Sequence, residues 1–256
     1  MLLSALGWRQ SLAVLGILIG AVVLLLARLI RERPGPGMTE PSATNAACEG
    51  TGQTDGAVKP LTLGQVVRKP LFWIIVISSG SAFGIQQATI VSMIPFAQGE
   101  GYSVPQAATL LSTMGAMSIS GKLVLAWLGD RVARTTILSV LFALLALASG
   151  GLSQAHSYPA LLACSAMFGL AMGASTPAYL TLLADRFGAA SFGIVSGSGS
   201  FISTLIGAGL LRYGGEVYDR TGGYQIMFLS FLVLAGTATV LIAMCHIVGL
   251  EAGKRP

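Results

Sequence analysis

The sequence predicts an all-α integral membrane protein with seven transmembrane helices. Three observations predict it. Charged residues make up 10% of the 256 positions, where a soluble domain carries about a quarter. Apolar residues make up 54% and fall in long uninterrupted runs. The 15 Lys+Arg and 10 Asp+Glu lie almost entirely between those runs. So little charge cannot cover a water-facing surface of this size, which excludes a soluble globular enzyme, a disordered chain and a nucleic-acid binder. The net charge of +5 therefore reads as an orientation signal for a chain whose first partner is the lipid bilayer, and no nucleic acid is expected.

A helix needs about 20 consecutive, mostly apolar residues to cross a bilayer core. Seven runs meet this, at approximately 11–30, 71–97, 104–128, 135–152, 158–184, 192–213 and 224–249. They are too long and too uniform for the alternating segments of about ten residues that build a membrane β-barrel. The first run is not a cleaved leader: its apolar core is too long, and Arg28, Arg31 and Arg33 close it on the C-terminal side in a stop-transfer pattern. Pro70, Pro105 and Pro159 stand where the second, third and fifth helices would begin, and a first-turn proline gives up no helical hydrogen bond.

Residues 34–64 are rich in Pro, Gly, Ser, Thr and Ala and have little to bury, as expected of a flexible linker. The chain thus divides into a single helix (1–33), a central cytoplasmic loop (34–69) and a six-helix domain (70–256). Lys and Arg concentrate on the cytoplasmic side of membrane proteins. With the central loop inside, the inner side holds twelve (Arg28, Arg31, Arg33, Lys59, Arg68, Lys69, Lys122, Arg131, Arg134, Arg186, Lys254 and Arg255) and the outer side only Arg9, Arg212 and Arg220. The N-terminus is expected outside and the C-terminus inside. In a bacterial host the membrane is the cytoplasmic one.

Cys48, Cys164 and Cys245 are scattered and form neither a disulfide framework nor a metal motif. His156 and His246 have no partner at metal-ligand spacing. No nucleophile–base pair or phosphate loop is present, so neither an enzyme, a metal nor a cofactor is expected.

The connection after the third run reads Gly121-Lys122-Leu-Val-Leu-Ala126-Trp-Leu128-Gly-Asp130-Arg131-Val-Ala133-Arg134. It is a short charged turn on the inner side. Asp130 can accept from the N–H groups that open the next helix. Arg131 and Arg134 can pair with carboxylates or carbonyls on neighbouring helix ends. An ordinary positive-inside turn would look the same from charge alone.

This stretch resembles the loop signature G-x-L-a-D-R-x-G-R of the major facilitator superfamily. Leu128, Asp130, Arg131 and Arg134 match it, while Ala126 and Ala133 replace its two glycines. Gly121-Lys122 resembles the Gly-Arg that precedes this loop in the monocarboxylate and oxalate/formate branch. Gly7-Trp8-Arg9, the first run and Arg31-Glu32-Arg33-Pro34 resemble the sixth helix and its exit into the central loop. Arg186-Phe-Gly188 with Ser191-Phe-Gly193 and Gly197 resembles the entry to the eleventh helix. Tyr218, Asp219 and Gly222 lie in a stretch resembling the outer turn between the last two helices.

The resemblance implies a secondary transporter, moving a small solute by alternating access, seen here as the sixth helix plus the C-terminal six-helix bundle, with five preceding helices missing. It also implies a small-molecule partner, an organic anion being one candidate, and a coupling proton or ion. Transporters of the carboxylate branch carry basic residues deep in the eighth and eleventh helices, and the matching runs here carry none at mid-depth. Two other readings stand beside it. A seven-helix receptor or photoreceptor fits the count, although 224–250 holds no lysine for a retinal Schiff base. An inactive transporter fragment fits the length.

Polar residues in mid-span are the solute-pathway candidates, because intramembrane polarity is costly and tends to face a cavity. They are Gln86 and Gln87 in the second run, Ser112 and Thr113 in the third, Ser175, Thr176 and Tyr179 around Pro177 in the fifth, and Ser196, Ser200 and Arg212 in the sixth. Gln86 and Gln87 point about 100° apart on a helix, so one of them suffices to face a cavity. Ser and Thr can instead bond carbonyls of their own helix. Arg212 can bind an anion or snorkel to the outer interface. Small residues four apart, at Gly16/Gly20, Gly80/Gly84, Gly169/Gly173, Gly193/Gly197 and Gly199/Ser203/Gly207, predict close helix–helix contacts.

Overall fold

The computed structural model describes residues 62–129, 131–155 and 157–252, together with Gly20, Ala21 and Leu24, with side chains described as far as Met244. The remainder of the first expected span, the linker to residue 61, Asp130, His156 and the side chains of Cys245 and His246 lie outside the described residues. The chain divides into a unit Met1–Asp55, helical at Gly20, Ala21 and Leu24, and a unit Gly56–Pro256.

The second unit contains a short helix α1 (Leu63–Val67) and six long ones: α2 (Pro70–Gly99), α3 (Val104–Leu128), α4 (Arg134–Gln154), α5 (Tyr158–Phe187), α6 (Phe192–Thr221) and α7 (Gln225–Ala252). Among the described residues these six are long and apolar enough to cross a membrane, so the fold is that of an all-α membrane protein. The short helix α1 lies at the end of the segment expected as linker. Gln65 Oε1 accepts from the Thr62 N–H there at 3.1 Å, closing its first turn.

Start signals act where the sequence places them. Pro70 opens α2, and Pro105 and Pro159 stand in the first turns of α3 and α5. At α3 the Ser103 N–H and hydroxyl both donate to Gln106 Oε1 at 3.0 Å. The main departure from expectation is length. α6 runs to Thr221, two turns beyond the expected end at 213. Its added turns carry Glu216, Asp219 and Arg220, and Arg220 pairs with Glu216 one turn earlier. Helix hydrogen bonding therefore outlasts the apolar pattern, and Tyr218 and Asp219 belong to the last turn of α6.

Gly222 ends that helix in the left-handed conformation (φ +68°), its N–H donating to the Tyr218 carbonyl at 2.8 Å. Tyr218 stacks on Tyr224 with ring centres 4.6 Å apart. Burial, and then the neighbouring Tyr218 and Asp219, push the Tyr224 phenol up. An L side chain at a left-handed position costs about 1–2 kcal/mol. Gly222→Ala is accordingly expected to lower stability by that amount in a detergent melting experiment.

Three helix pairs organise the bundle: α4 with α7, α3 with α5, and α2 with α6, with α4–α5 and α2–α7 joining them. This pattern is unchanged when α2, α3 and α4 are exchanged for α5, α6 and α7. The helix pairing thus relates α2–α4 to α5–α7 as two three-helix repeats would be related, an arrangement found in membrane transporters. Both equivalent seams are glycine seams. On α3–α5, a Cβ at Gly121, Gly169 or Gly173 would overlap the carbonyl oxygen of Leu170, Met114 or Ser118. On α2–α6, a Cβ at Gly80 would stand 3.1 Å from Ser203 Cα, and one at Gly84 would stand 3.0 Å from Gly207 Cα. Gly193 and Gly197 differ from the expectation: nothing lies within 4 Å of a Cβ at either, so they do not form a close contact among the described residues.

The core is aromatic and aliphatic, with Phe72, Phe142, Phe168, Phe228 and Phe231 fully buried. The outer surface is apolar as well: Leu123, Trp127, Leu147, Phe201 and Val233 are each more than half exposed. In water such a surface would drive aggregation, whereas in lipid it is the natural boundary. At one end of the bundle Lys69 lies over the Phe187 ring at 5.7 Å. At the other end the Tyr158 hydroxyl donates to the Gln106 carbonyl at 3.3 Å.

Candidate functional site

Among the described residues, two neighbouring cavities open between the repeats. The larger, of about 920 Å³, lies between α2, α3 and α5 and reaches the first turn of α4. Its polar lining comes from Gln86 and Gln87 on α2, Ser118 and Lys122 on α3, Arg134 on α4, and Thr176 and Thr181 on α5. The smaller, of about 420 Å³, lies between α2, α5 and α6 and is lined by Gln87, Tyr179, Ser200, Ser203 and Thr204. Phe83 borders both. Its ring meets Tyr179 edge-on, centres 5.5 Å apart and planes at 84°. Exchanging the two repeats turns the helix set of the larger cavity into that of the smaller.

Gln86 and Gln87 both line the larger cavity, although one would have sufficed. Gln87 is exposed there, whereas Gln86 is 6% exposed and its amide Nε2 has no hydrogen-bond partner. A buried donor left unmade costs about 1–3 kcal/mol, so Gln86 is an open demand for an acceptor. Pro177 borders the same cavity and lacks an N–H. It thereby leaves the Gly173 carbonyl without its helical donor.

The electrostatics of the larger cavity are one-sided. Among the described residues its lining includes two cations, Lys122 and Arg134, and no carboxylate. Arg134 Nε is held by Asp185 Oδ2 at 2.9 Å, linking the start of α4 to the last turn of α5. Arg131, the other described cation of the inter-helix motif, lies over the Trp127 ring at 4.9 Å. Lys122 has no acidic partner among the described residues. Among the described residues, one positive charge without an acidic partner therefore borders the cavity.

The Arg134–Asp185 pair joins two helix ends as the motif's residue types suggested, but both side chains are over a third exposed (37% and 48%). Exposed pairs contribute about 0–1 kcal/mol. A double-mutant cycle on Arg134→Ala and Asp185→Ala is expected to give a stability coupling inside that range, falling as salt is raised.

The other expected residues are placed as follows. Thr113 donates to the Thr109 carbonyl at 2.8 Å, Ser175 to Ala171 at 2.6 Å, and Ser196 to Gly193 at 3.5 Å. These hydroxyls satisfy carbonyls of their own helices and line neither cavity. Ser112 is exposed on α3, and Arg212 is exposed nine residues before the end of α6; both are outside the two cavities. Gly121 is buried at the α3–α5 seam beside Leu170, and Leu128 is half-buried at the end of α3. Asp130 is outside the described residues. Sequence reasoning missed Asp185, Phe83 and Thr204. The signal for Asp185 was present, an acid beside Arg186 at a helix end. Phe83 carried none, since one aromatic in an apolar run is indistinguishable from core.

Comparison with known proteins agrees with this architecture. The profile of the Major Facilitator Superfamily matches residues 1–211. A Bacillus subtilis (strain 168) relative described as the uncharacterized MFS-type transporter YcxA is 24% identical over 241 residues, spanning 92% of this chain and 56% of its own. The solved structure of an Escherichia coli fucose:proton symporter variant, FucP, superposes with a TM-score of 0.66 at 20% identity, over 92% of this chain and 55% of that one. A structure of FucP in the outward conformation gives the same values. The chain thus spans about half the length of the relatives it matches. With six membrane-length helices in two repeats and a profile match over most of its length, the chain belongs to the Major Facilitator Superfamily.

Proposed function

We propose that this chain forms a cavity-bearing part of a secondary transporter for a small anionic solute, with Lys122 and Gln86 receiving the anionic group. The observation that carries this reading is the pairing of one uncompensated cation with one orphaned buried amide donor in a single cavity. A carboxylate offers both the charge for Lys122 and an acceptor for Gln86 Nε2, and charge-assisted hydrogen bonds are about twice as strong as neutral ones. The solute would be exposed alternately to the two sides by rocking of helix bundles about a midplane site. The likeness of Gly121-Lys122 to the Gly-Arg of the monocarboxylate branch supports an organic anion. FucP, a fucose:proton symporter, supports a small solute and a coupling proton. The excess of Lys and Arg at the Arg134 end of the bundle supports placing that end in the cytoplasm. On this reading the first 33 residues supply a separate helix and residues 34–69 a cytoplasmic loop.

The test is uptake of a labelled short-chain carboxylate into proteoliposomes holding the protein encoded by the complete genomic reading frame. Saturable, ATP-independent uptake inhibited by other small carboxylates is expected. Uptake no faster than in empty liposomes across a carboxylate panel would refute the anionic reading.

A further inference from the structure

The smaller cavity has a chemistry of its own that anion recognition does not use. Among the described residues its lining carries no charged one. Tyr179 is 2% exposed and Ser203 7% exposed, and both hydroxyls lack a hydrogen-bond partner of normal geometry although they lie beside each other. The residues Tyr179 and Ser203 line the cavity, with Ser200, Thr204 and Gln87, and their hydroxyls are buried in its wall. Thr204 donates to the Ser200 carbonyl at 2.8 Å, so its oxygen remains free to accept. Space for the Tyr179 hydroxyl is kept by Gly199, where a Cβ would overlap it.

Two buried hydroxyls with no partner beyond each other leave bonding capacity unused in an empty bundle. Each can both donate and accept, and so can a hydroxyl on a ligand. An anion finds no cation here, and a purely apolar group would leave both hydroxyls unmade. The cavity adjoins the larger one, since Phe83 and Gln87 line both.

We propose that the smaller cavity is a hydroxyl-recognising subsite continuous with the anion site, so that the solute is a hydroxycarboxylate whose anionic end sits at Lys122 and whose hydroxyl end sits at Tyr179 and Ser203. The proposal rests on the anionic reading above for one end of the solute only. Tyr179 and Ser203 are specificity residues: losing one should affect hydroxylated solutes alone. Tyr179→Phe also removes an orphaned buried hydroxyl while keeping the ring against Phe83, so the empty protein should melt no lower than wild type.

The experiment measures binding of glycerate, propionate and glycerol to the purified full chain by calorimetry, in wild type and in Tyr179→Phe, Ser203→Ala and Lys122→Gln. Glycerate should bind about tenfold or more tighter than propionate, which lacks its hydroxyls. Tyr179→Phe and Ser203→Ala should each remove several-fold of that difference and leave propionate unchanged. Lys122→Gln should weaken glycerate and propionate alike. Equal binding of glycerate and propionate overturns the subsite, and so does a Tyr179→Phe protein that melts lower and loses both ligands. Glycerol binding that depends on Tyr179 but ignores Lys122 overturns the anionic reading and leaves the subsite standing. Failure of all three ligands to bind overturns both.

Discussion

Leucine at position 173 is expected to separate α3 from α5, and alanine there to lower stability by about 1–3 kcal/mol. The reason is backbone against backbone. A Cβ at Gly173 would overlap the Ser118 carbonyl oxygen, with the Ser118 carbonyl carbon and Cα close behind it. Rotamer changes relieve a clash with a flexible side chain, but here a helix axis must move. Four residues earlier, Gly169 meets Met114 in the same way, so axial sliding gives no relief. In lipid, such close approach is itself the main source of helix association, and the substitution removes attraction as well as adding strain. Leucine should exceed the alanine effect and cost folded, monodisperse protein. Gly193→Ala is the control. Nothing lies within 4 Å of its added Cβ, and alanine is the better helix former by about 1 kcal/mol, so its melting temperature should hold or rise. Equal losses at 173 and 193 would show that the seam is not close-packed.

The second large effect is functional. Lys122→Gln is expected to reduce uptake of a small carboxylate by about ten- to a hundredfold at limiting concentration, equivalent to the roughly 1.5–3 kcal/mol of a hydrogen bond to a charged group. Stability should barely change, because Lys122 is exposed and holds no acidic partner among the described residues. Lys122→Arg should retain most uptake, since the charge is kept on the wall of the same cavity. Arg134→Gln should cost less, because Arg134 is already engaged by Asp185. If the two substitutions weakened uptake equally, the assignment of the free cation to Lys122 would fail.

Helix positions were legible in the sequence because bilayer thickness sets a length and proline sets a start. The runs expected at 71–97, 104–128 and 158–184 became Pro70–Gly99, Val104–Leu128 and Tyr158–Phe187. The end of α6 was not legible, since Gly214–Thr221 is polar and helical together. The glycine seams were half legible. Spacing named Gly80/Gly84 and Gly169/Gly173 correctly, but the same spacing at Gly193/Gly197 packs against nothing described. A small residue permits close approach without requiring it.

The site was legible as residue types and not as groupings. Gln86, Gln87, Thr176, Tyr179 and Ser200 stood out as polar atoms in apolar runs, and the structure brings them to cavity walls. Ser112, Thr113, Ser175 and Ser196 stood out equally and line neither cavity. A hydroxyl can bond its own helix four residues back, while an amide at Gln86 cannot so easily disappear. Lys122 and Arg134 read as loop charges, and their place on the cavity wall depends on how α3 and α4 meet α5.

The most direct test of the central claim, that the space between α2, α3 and α5 is a water-filled solute pathway, is cysteine accessibility. In a protein with Cys48, Cys164 and Cys245 replaced, Gln87→Cys and Thr176→Cys should react with a membrane-impermeant thiol reagent. Transported solute should protect both. Leu147→Cys, on the exposed apolar face of α4, should stay unreactive in the bilayer. Unreactive cysteines at 87 and 176, or labelling there that no solute slows while Leu147→Cys labels equally well, would contradict the assignment of this cavity to transport.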